Sequence, residues 1–266
     1  MTRGAVRRID PVFVHRVWGR TDLSPLYGTQ DQVIGEVWFP IAPDFPILVK
    51  FLFTSARLSV QVHPNDDFAA LHENSRGKTE MWHILAAEPG SEIALGLKSQ
   101  MEKETLRAAL EDGSVVDLLN WVPVSAGETF FAPAGTIHAI GGGIVLCEIQ
   151  QNSDVTYRLH DYGRPRELHL EKGLEVADMG VCAGRHEFPV CCSHFTTEVL
   201  EFPVVNASDI AWEHLLIATA GTGTIAGEPF RSGECWYADP SGGPVEIAGE
   251  PGARILRAYC GHAQQN

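Results

Sequence analysis

Gly127-Glu-Thr-Phe-Phe-Ala-Pro133-Ala-Gly135-Thr-Ile-His138 is the stretch whose reading decides the fold of this chain. A Pro-x-Gly turn separates two apolar β-type runs, and one histidine follows directly after it, which is how a small barrel delivers a ligand inward. Upstream, Gln61-Val-His63 offers two donor side chains two residues apart. Strand side chains alternate between faces, so both point the same way. Glu80 supplies a fourth candidate. Two imidazoles, one carboxylate and one neutral oxygen suit a divalent ion of the zinc type that keeps an open position for substrate, unlike the closed all-sulfur sites that hold folds together. The chain reads as a metalloenzyme.

Outward from that stretch, strand signals dominate. They are expected over Val33 to Pro40, Ile47 to Phe53, Leu58 to Val62, Met81 to Ala86, Ser91 to Leu97, Thr129 to Ala132, Ile144 to Gln150 and Thr156 to Leu159. Four more follow at Thr197 to Phe202, Leu215 to Ala220, Glu234 to Tyr237 and Arg254 to Tyr259. Short strands between Gly/Pro turns predict a sandwich or barrel. The exception is Ser99 to Asn120, where Ser99 with Glu102 reads as a capping box and Leu106, Ala109 and Leu110 fall at helical spacing. Gly113 breaks that helix, and the segment reads as a helical insertion near 99–120 in a β domain. A weaker echo, Gly221 to Gly227 with Gly233 and Pro240-Ser-Gly242, has no histidine after its Pro-x-Gly. Residues 1–185 are therefore expected to form a metal-binding domain, and 186–266 a second β domain without metal.

A chain of 266 residues with 44% hydrophobic content can bury a real core. Its formal charge of −14 argues against nucleic acid and anionic membrane surfaces, which reward clustered Lys and Arg. An anionic substrate would need positive charge concentrated locally. No apolar run approaches the ~20 residues of a membrane span, and Met1 to Arg8 lacks a secretory signal's apolar stretch, so a cytoplasmic location is expected. The six cysteines include the adjacent Cys191 and Cys192 and form no CxxC pair, so buried reduced thiols are expected.

The Gly-x5-Pro-x-Gly-x2-His pattern resembles the second motif of the cupin superfamily, which implies a double-stranded β-helix, the jelly roll. Further strings narrow the resemblance. They are Ile34 to Trp38, Ser59-Val-Gln-Val-His-Pro-Asn-Asp66, Gly77-Lys-Thr-Glu-Met-Trp82, Leu118 to Asn120, and Glu148 to Arg158. In order over roughly residues 15 to 170, these are similar to type I mannose-6-phosphate isomerase, most closely its short bacterial form. The resemblance implies one zinc ion per chain held by Gln61, His63, Glu80 and His138. It implies Arg158 as catalytic arginine, with Lys78 and Asp154 also catalytic, and Ser59, Lys78 and Arg158 binding substrate. Longer members carry a histidine directly before the lysine, where this chain has Gly77.

Either histidine alone reads equally as a satisfied core residue; the pair, in matching motifs with Gln61 and Glu80, reads as a metal site. Strict alternation along Glu148 to Arg158 places Glu148, Gln150, Asn152, Asp154, Thr156 and Arg158 on one polar face, unless a bulge near Asn152 breaks the parity. The bland alternative is a solvated face with an ordinary ion pair between Asp154 and Arg158, which would make Asp154 a poor base. By the same parity Arg57 shares a face with Ser59, Gln61 and His63. The implied activity interconverts mannose 6-phosphate and fructose 6-phosphate through a cis-enediol. The rivals are a redox cupin of the dioxygenase kind, which usually carries His-x-His where this chain has Gln61-x-His63, a non-catalytic sugar-binding cupin, and an isomerase of a related sugar phosphate. The expected partner is a small sugar phosphate, and the sequence leaves the oligomeric state open.

Overall fold

A computed structural model describes residues 6–182, 184–202, 206–208, 212–239, 241 and 243–260. A seven-stranded antiparallel sheet runs in the order Arg185–His186, Thr129–Ala132, Glu80–Ala87, Ile144–Gln151, Ile47–Phe53, Glu36–Phe39, Val12–Val14. A five-stranded sheet faces it, in the order Leu119–Pro123, Glu92–Leu97, His138–Ile140, Val60–Val62, Tyr157–His160. Trp18, Leu52, Trp82, Ile84, Ile93, Leu95, Phe130 and Leu146, from both sheets and the Trp18 turn, form one buried cluster between them. This is the all-β double-stranded β-helix.

The central strands Ile47–Phe53 and Ile144–Gln151 of the seven-stranded sheet are buried on both faces, and alternation decides what each face carries. Val49, Phe51, Phe53, Val145, Cys147 and Ile149 lie on one face and join a core with Val190, Phe195, Leu215, Ile217 and Leu256. The intervening Lys50, Leu52, Leu146, Glu148 and Gln150 belong to the other face. The partners of the first face lie on or beside a second, six-stranded sheet, ordered Val6–Arg8, Cys235–Ala238, His214–Ala220, Arg254–Tyr259, Thr196–Glu201, Val190–Cys191. A four-stranded sheet accompanies it. The N-terminal strand Val6–Arg8 pairs with Cys235–Ala238, and Arg185–His186 pairs with Thr129–Ala132, so strands cross between the halves in both directions. Pro240 and Gly242 of the echo lie outside the described residues.

Phe51 sits at the centre of this shared core, fully buried and edge-to-face with Phe39 at 5.5 Å. Phe51→Ala is expected to destabilise the protein by about 3–5 kcal/mol through lost burial and a cavity. Urea unfolding measures this, and a shift under about 1 kcal/mol would mean the halves do not share a cooperative core.

Helices Lys103–Asp112 and Val115–Leu118 fall within the expected insertion. Leu106, Ala109 and Leu110 pack on Val60, Val62 and Ala139, covering the outer face of the five-stranded sheet. The start differs from the capping-box reading: Glu102 is the N-cap, with no side-chain cap, so Ser99 does not cap the helix. Two helices, Asp66–Glu73 and Leu170–Val176, are not anticipated by the strand pattern. The first starts at Asn65, whose side chain accepts from Phe68 N at 3.0 Å, with Asp66 and Asp67 in its first turn. Among the described residues no helix is long and apolar enough to cross a membrane.

Candidate metal centre and adjoining cavity

Register brings the site together. His138 stands opposite Gln61, and Gln61 stands opposite Arg158, so three strands distant in sequence place these residues in one row. Glu80 enters from the facing sheet, opposite Ala132 on one side and Gln150 on the other. Pro133-x-Gly135 performs the turn read from the sequence: Gly135 has φ of +91°, where a side chain would be strained, and its N–H donates to the His63 carbonyl at 2.8 Å.

Both histidines are fixed in one tautomer. His63 Nδ1 donates to the Val155 carbonyl at 2.9 Å and His138 Nδ1 to the Thr136 carbonyl at 2.8 Å. A carbonyl only accepts, so each Nε2 presents a lone pair. Burial first, and then the Lys78 charge, depress the His63 imidazole far below its usual range; burial likewise carries His138 down to about 4. Their Nε2 atoms lie 3.6 and 3.2 Å from Glu80 Oε2 and Oε1. All four atoms are buried without a hydrogen-bond partner. With Glu80 ionised, lone pairs converge on lone pairs, an arrangement that a cation relieves. The donor set therefore fits a metal ion, and the Nδ1–carbonyl bonds are the outer contacts that hold such ligands in orientation. Burial raises the Glu80 carboxyl, against the opposing pull of Lys78.

Beside the cluster opens a cavity of about 410 Å³, lined among others by Ser59, Gln61, Lys78, Glu148, Asp154 and Arg158. A cavity of about 580 Å³ lies where Ile84 and Gly127 meet Thr219 and Arg254, and contains none of these donors. Lys78 is buried, with Nζ 3.4 Å from Glu80 Oε2, an ion pair too long for a strong hydrogen bond. Burial would lower its ammonium, but Glu80, Glu148 and Glu36 outweigh this and keep it charged. Ser59 is buried and Asp154 is exposed at the cavity wall.

The polar row needs correction. The strand ends at Gln151, the chain turns through 152–156, and Tyr157–His160 joins the opposite sheet. Glu148 and Arg158 nevertheless line one cavity, because the two sheets face each other. The ordinary ion pair is not formed: Arg158 Nη1 donates to the Glu167 carbonyl at 2.9 Å. Arg57 points elsewhere, paired with Glu92 at 2.8 Å and stacked over Trp121.

Sequence reasoning missed Lys50. Its Nζ donates to Glu148 Oε1 at 3.1 Å and Gln150 Oε1 at 2.6 Å, and lies over the Trp38 ring. The signal was a single lysine inside the apolar run Ile47 to Phe53. Burial would raise the Glu148 carboxyl, but Lys50 and Lys78, with hydrogen bonds from Lys50 and Trp82, hold it below the usual range. Gly77 has a steric reason: a Cβ there would meet Asn65 C at 2.5 Å and Asp66 N at 2.6 Å, so this backbone has no room for the histidine of longer members.

No family model matches the chain. Mannose-6-phosphate isomerase ManA from Bacillus subtilis is 38% identical over 218 residues, spanning 66% of this chain and 69% of that protein. The probable mannose-6-phosphate isomerase GmuF of the same organism is 37% identical over 211 residues, 63% of this chain and 67% of its own length. The chain belongs to the mannose-6-phosphate isomerase family. The crystal structure of the Bacillus subtilis mannose 6-phosphate isomerase superposes with a TM-score of 0.85 at 23% identity, covering 97% of this chain and all of that one. A zinc-bound mannose 6-phosphate isomerase superposes at 0.73 and 16% identity, over 96% and 99% of the two chains. At these identities the superpositions speak for the family's fold.

Proposed function

We propose that this protein is a zinc-dependent aldose-ketose isomerase that interconverts mannose 6-phosphate and fructose 6-phosphate. The observation that carries the reading is the convergence of unpartnered His63, Glu80 and His138 donors beside a cavity rich in cationic side chains. His63, Glu80 and His138, with Gln61 as the fourth ligand, would hold one zinc ion per chain. When bound, that ion supplies Lewis-acid stabilisation to charge developing on the sugar's C1 and C2 oxygens, an effect of several kcal/mol. Two imidazoles, a carboxylate and an amide favour zinc over the hard, all-oxygen cations.

The chain's own groups supply the rest. Lys78 and Arg158 orient the sugar and offset the negative charge of the enediol. Ser59, directly before the strand Val60–Val62 that carries Gln61, can donate its hydroxyl to substrate. Asp154 is the proposed acid/base group that moves a proton between C2 and C1, and without an ion pair to Arg158 it stays free for that role. Glu148, buried and kept ionised, lines the same cavity with Glu36. Residues 186–266 are read as a second β domain without a metal role that braces the first, and the protein as cytoplasmic.

A coupled assay tests the reading. Mannose 6-phosphate and fructose 6-phosphate are expected to interconvert, glucose 6-phosphate to react negligibly, and free mannose to react at least about tenfold more poorly because it forgoes charge-assisted phosphate contacts. Efficient turnover of free mannose but not its phosphate would refute the substrate. No isomerisation of either would return the sugar-binding reading to first place.

A further inference from the structure

The cations along the cavity wall fall into two groups. Arg16 is paired with Glu36 at 2.8 Å, Lys50 with Glu148 at 3.1 Å and Lys78 with Glu80 at 3.4 Å. Each has its own carboxylate. The corner formed by Arg158 and Arg166 is different. Asp161, only 3% exposed, accepts from Arg166 Nε at 2.6 Å and Nη2 at 2.7 Å, and from Arg164 Nη1 at 3.0 Å. Arg164 spends its Nη2 on the Arg57 carbonyl at 2.7 Å, whereas Arg166 lines the cavity beside Arg158.

Arg158 has no carboxylate at ion-pair distance among the described residues. Its Nη1 meets a carbonyl and its Nε is buried without a partner. Burial, and next the neighbouring Arg166 charge, hold the Arg158 guanidinium below its ordinary value. Arg164 and Arg166 thus share the one Asp161 carboxylate while Arg158 stands beside them without an ion pair, a local concentration of positive charge in a chain whose formal charge is −14. Like charges packed at one corner are costly unless an anion joins them. A phosphate monoester carries about −1.5 to −2 charge at pH 7 and three acceptor oxygens, and would offset that positive charge.

We propose that Asp161 is a positioning residue that fixes Arg166 at the cavity wall, and that the Arg166 guanidinium grips the phosphate of the substrate, while Arg158, opposite Gln61, serves the reacting end of the sugar. The inference rests on the isomerase reading and deepens it. The bidentate clamp on one edge of Arg166 leaves Nη1 for the ligand, and a planar fork held this way loses little freedom on binding. With the phosphate at that corner, the sugar extends towards Lys78 and the metal donors.

Calorimetric titration of metal-loaded Arg166→Gln with mannose 6-phosphate tests this directly. Kd is expected to weaken at least about tenfold, the effect of losing one hydrogen bond to a charged group, with metal content unchanged. KM should rise by a similar factor while kcat falls far less, so that the preference for the phosphate over free mannose collapses. Arg166→Lys should recover part of the affinity, and Asp161→Asn should reproduce the loss although the arginine remains. Unchanged affinity in Arg166→Gln, or equal losses for mannose and its phosphate, overturns the phosphate grip and leaves the isomerase reading intact. A wild type that binds mannose 6-phosphate through Arg166 but turns nothing over supports the grip and sinks the isomerase reading.

Discussion

His138→Ala is expected to strip the metal from the protein and lower isomerisation of mannose 6-phosphate by about 10³-fold or more, since Lewis-acid stabilisation supplies several kcal/mol. The geometry explains why one ligand suffices. His138 Nε2 lies 3.2 Å from Glu80 Oε1, and its ring is held by the Thr136 carbonyl. Alanine leaves only His63, Glu80 and the weakly binding amide of Gln61, too weak a set to retain an ion against water. Elemental analysis should find about one zinc per wild-type chain and far less in the variant. Far-ultraviolet circular dichroism serves as the control, because the methyl group of alanine still fits a strand. Two metals per wild-type chain, or undiminished metal in the variant, would end the single-site reading.

Arg158→Ala and Lys78→Ala should each retain metal and fold yet lose about 10²-fold or more in kcat/KM, as expected when a group that stabilises transition-state charge is removed. The two should differ in character. Arg158 makes no ion pair among the described residues, and its carbonyl contact to Glu167 is local, so its loss falls on substrate and transition state. Lys78 also neutralises Glu80, which is 1% exposed, so its removal leaves a buried carboxylate short of a counter-charge. Lys78→Ala should therefore also bind its metal differently: the ion is the remaining cation at Glu80, and metal removal should destabilise this variant more than wild type. Thermal unfolding with and without chelator measures the difference. Near-wild-type kinetics in both variants would mean that the cavity wall does not meet the substrate.

Much of the site could be read from the sequence because its signals are local. Gln61 and His63 share a face through the two-residue period of a strand, and His138 is aimed by a three-residue turn that needs glycine at 135. Ile47–Phe53 and Thr129–Ala132 were bounded correctly because apolar runs between turn residues leave little choice of register. The helix at Lys103–Asp112 was placed by its 3.6-residue spacing, although its cap was misassigned, since capping depends on the backbone entering the helix rather than on which hydroxyl lies nearby. Gly77 looked like a departure, and only the proximity of Asn65 and Asp66 explained it.

What the tertiary structure alone decided is everything that depends on which strand lies beside or across from which. Alternation along one strand is a property of the chain, but it breaks wherever the chain leaves a sheet, as it does after Gln151, so the polar row from Glu148 to Arg158 became two walls of one cavity. Lys50 was an oddity in an apolar run until the pairing of Ile47–Phe53 with Ile144–Gln151 set it against Glu148. Arg166 carries no signal in the sequence, and only its bond to Asp161 holds it at the cavity. The N-terminal strand joined the six-stranded sheet for the same reason. Side-chain period is fixed by local backbone geometry, whereas cross-strand and cross-sheet neighbours are fixed by the burial of whole faces, a long-range choice that no short window of sequence contains.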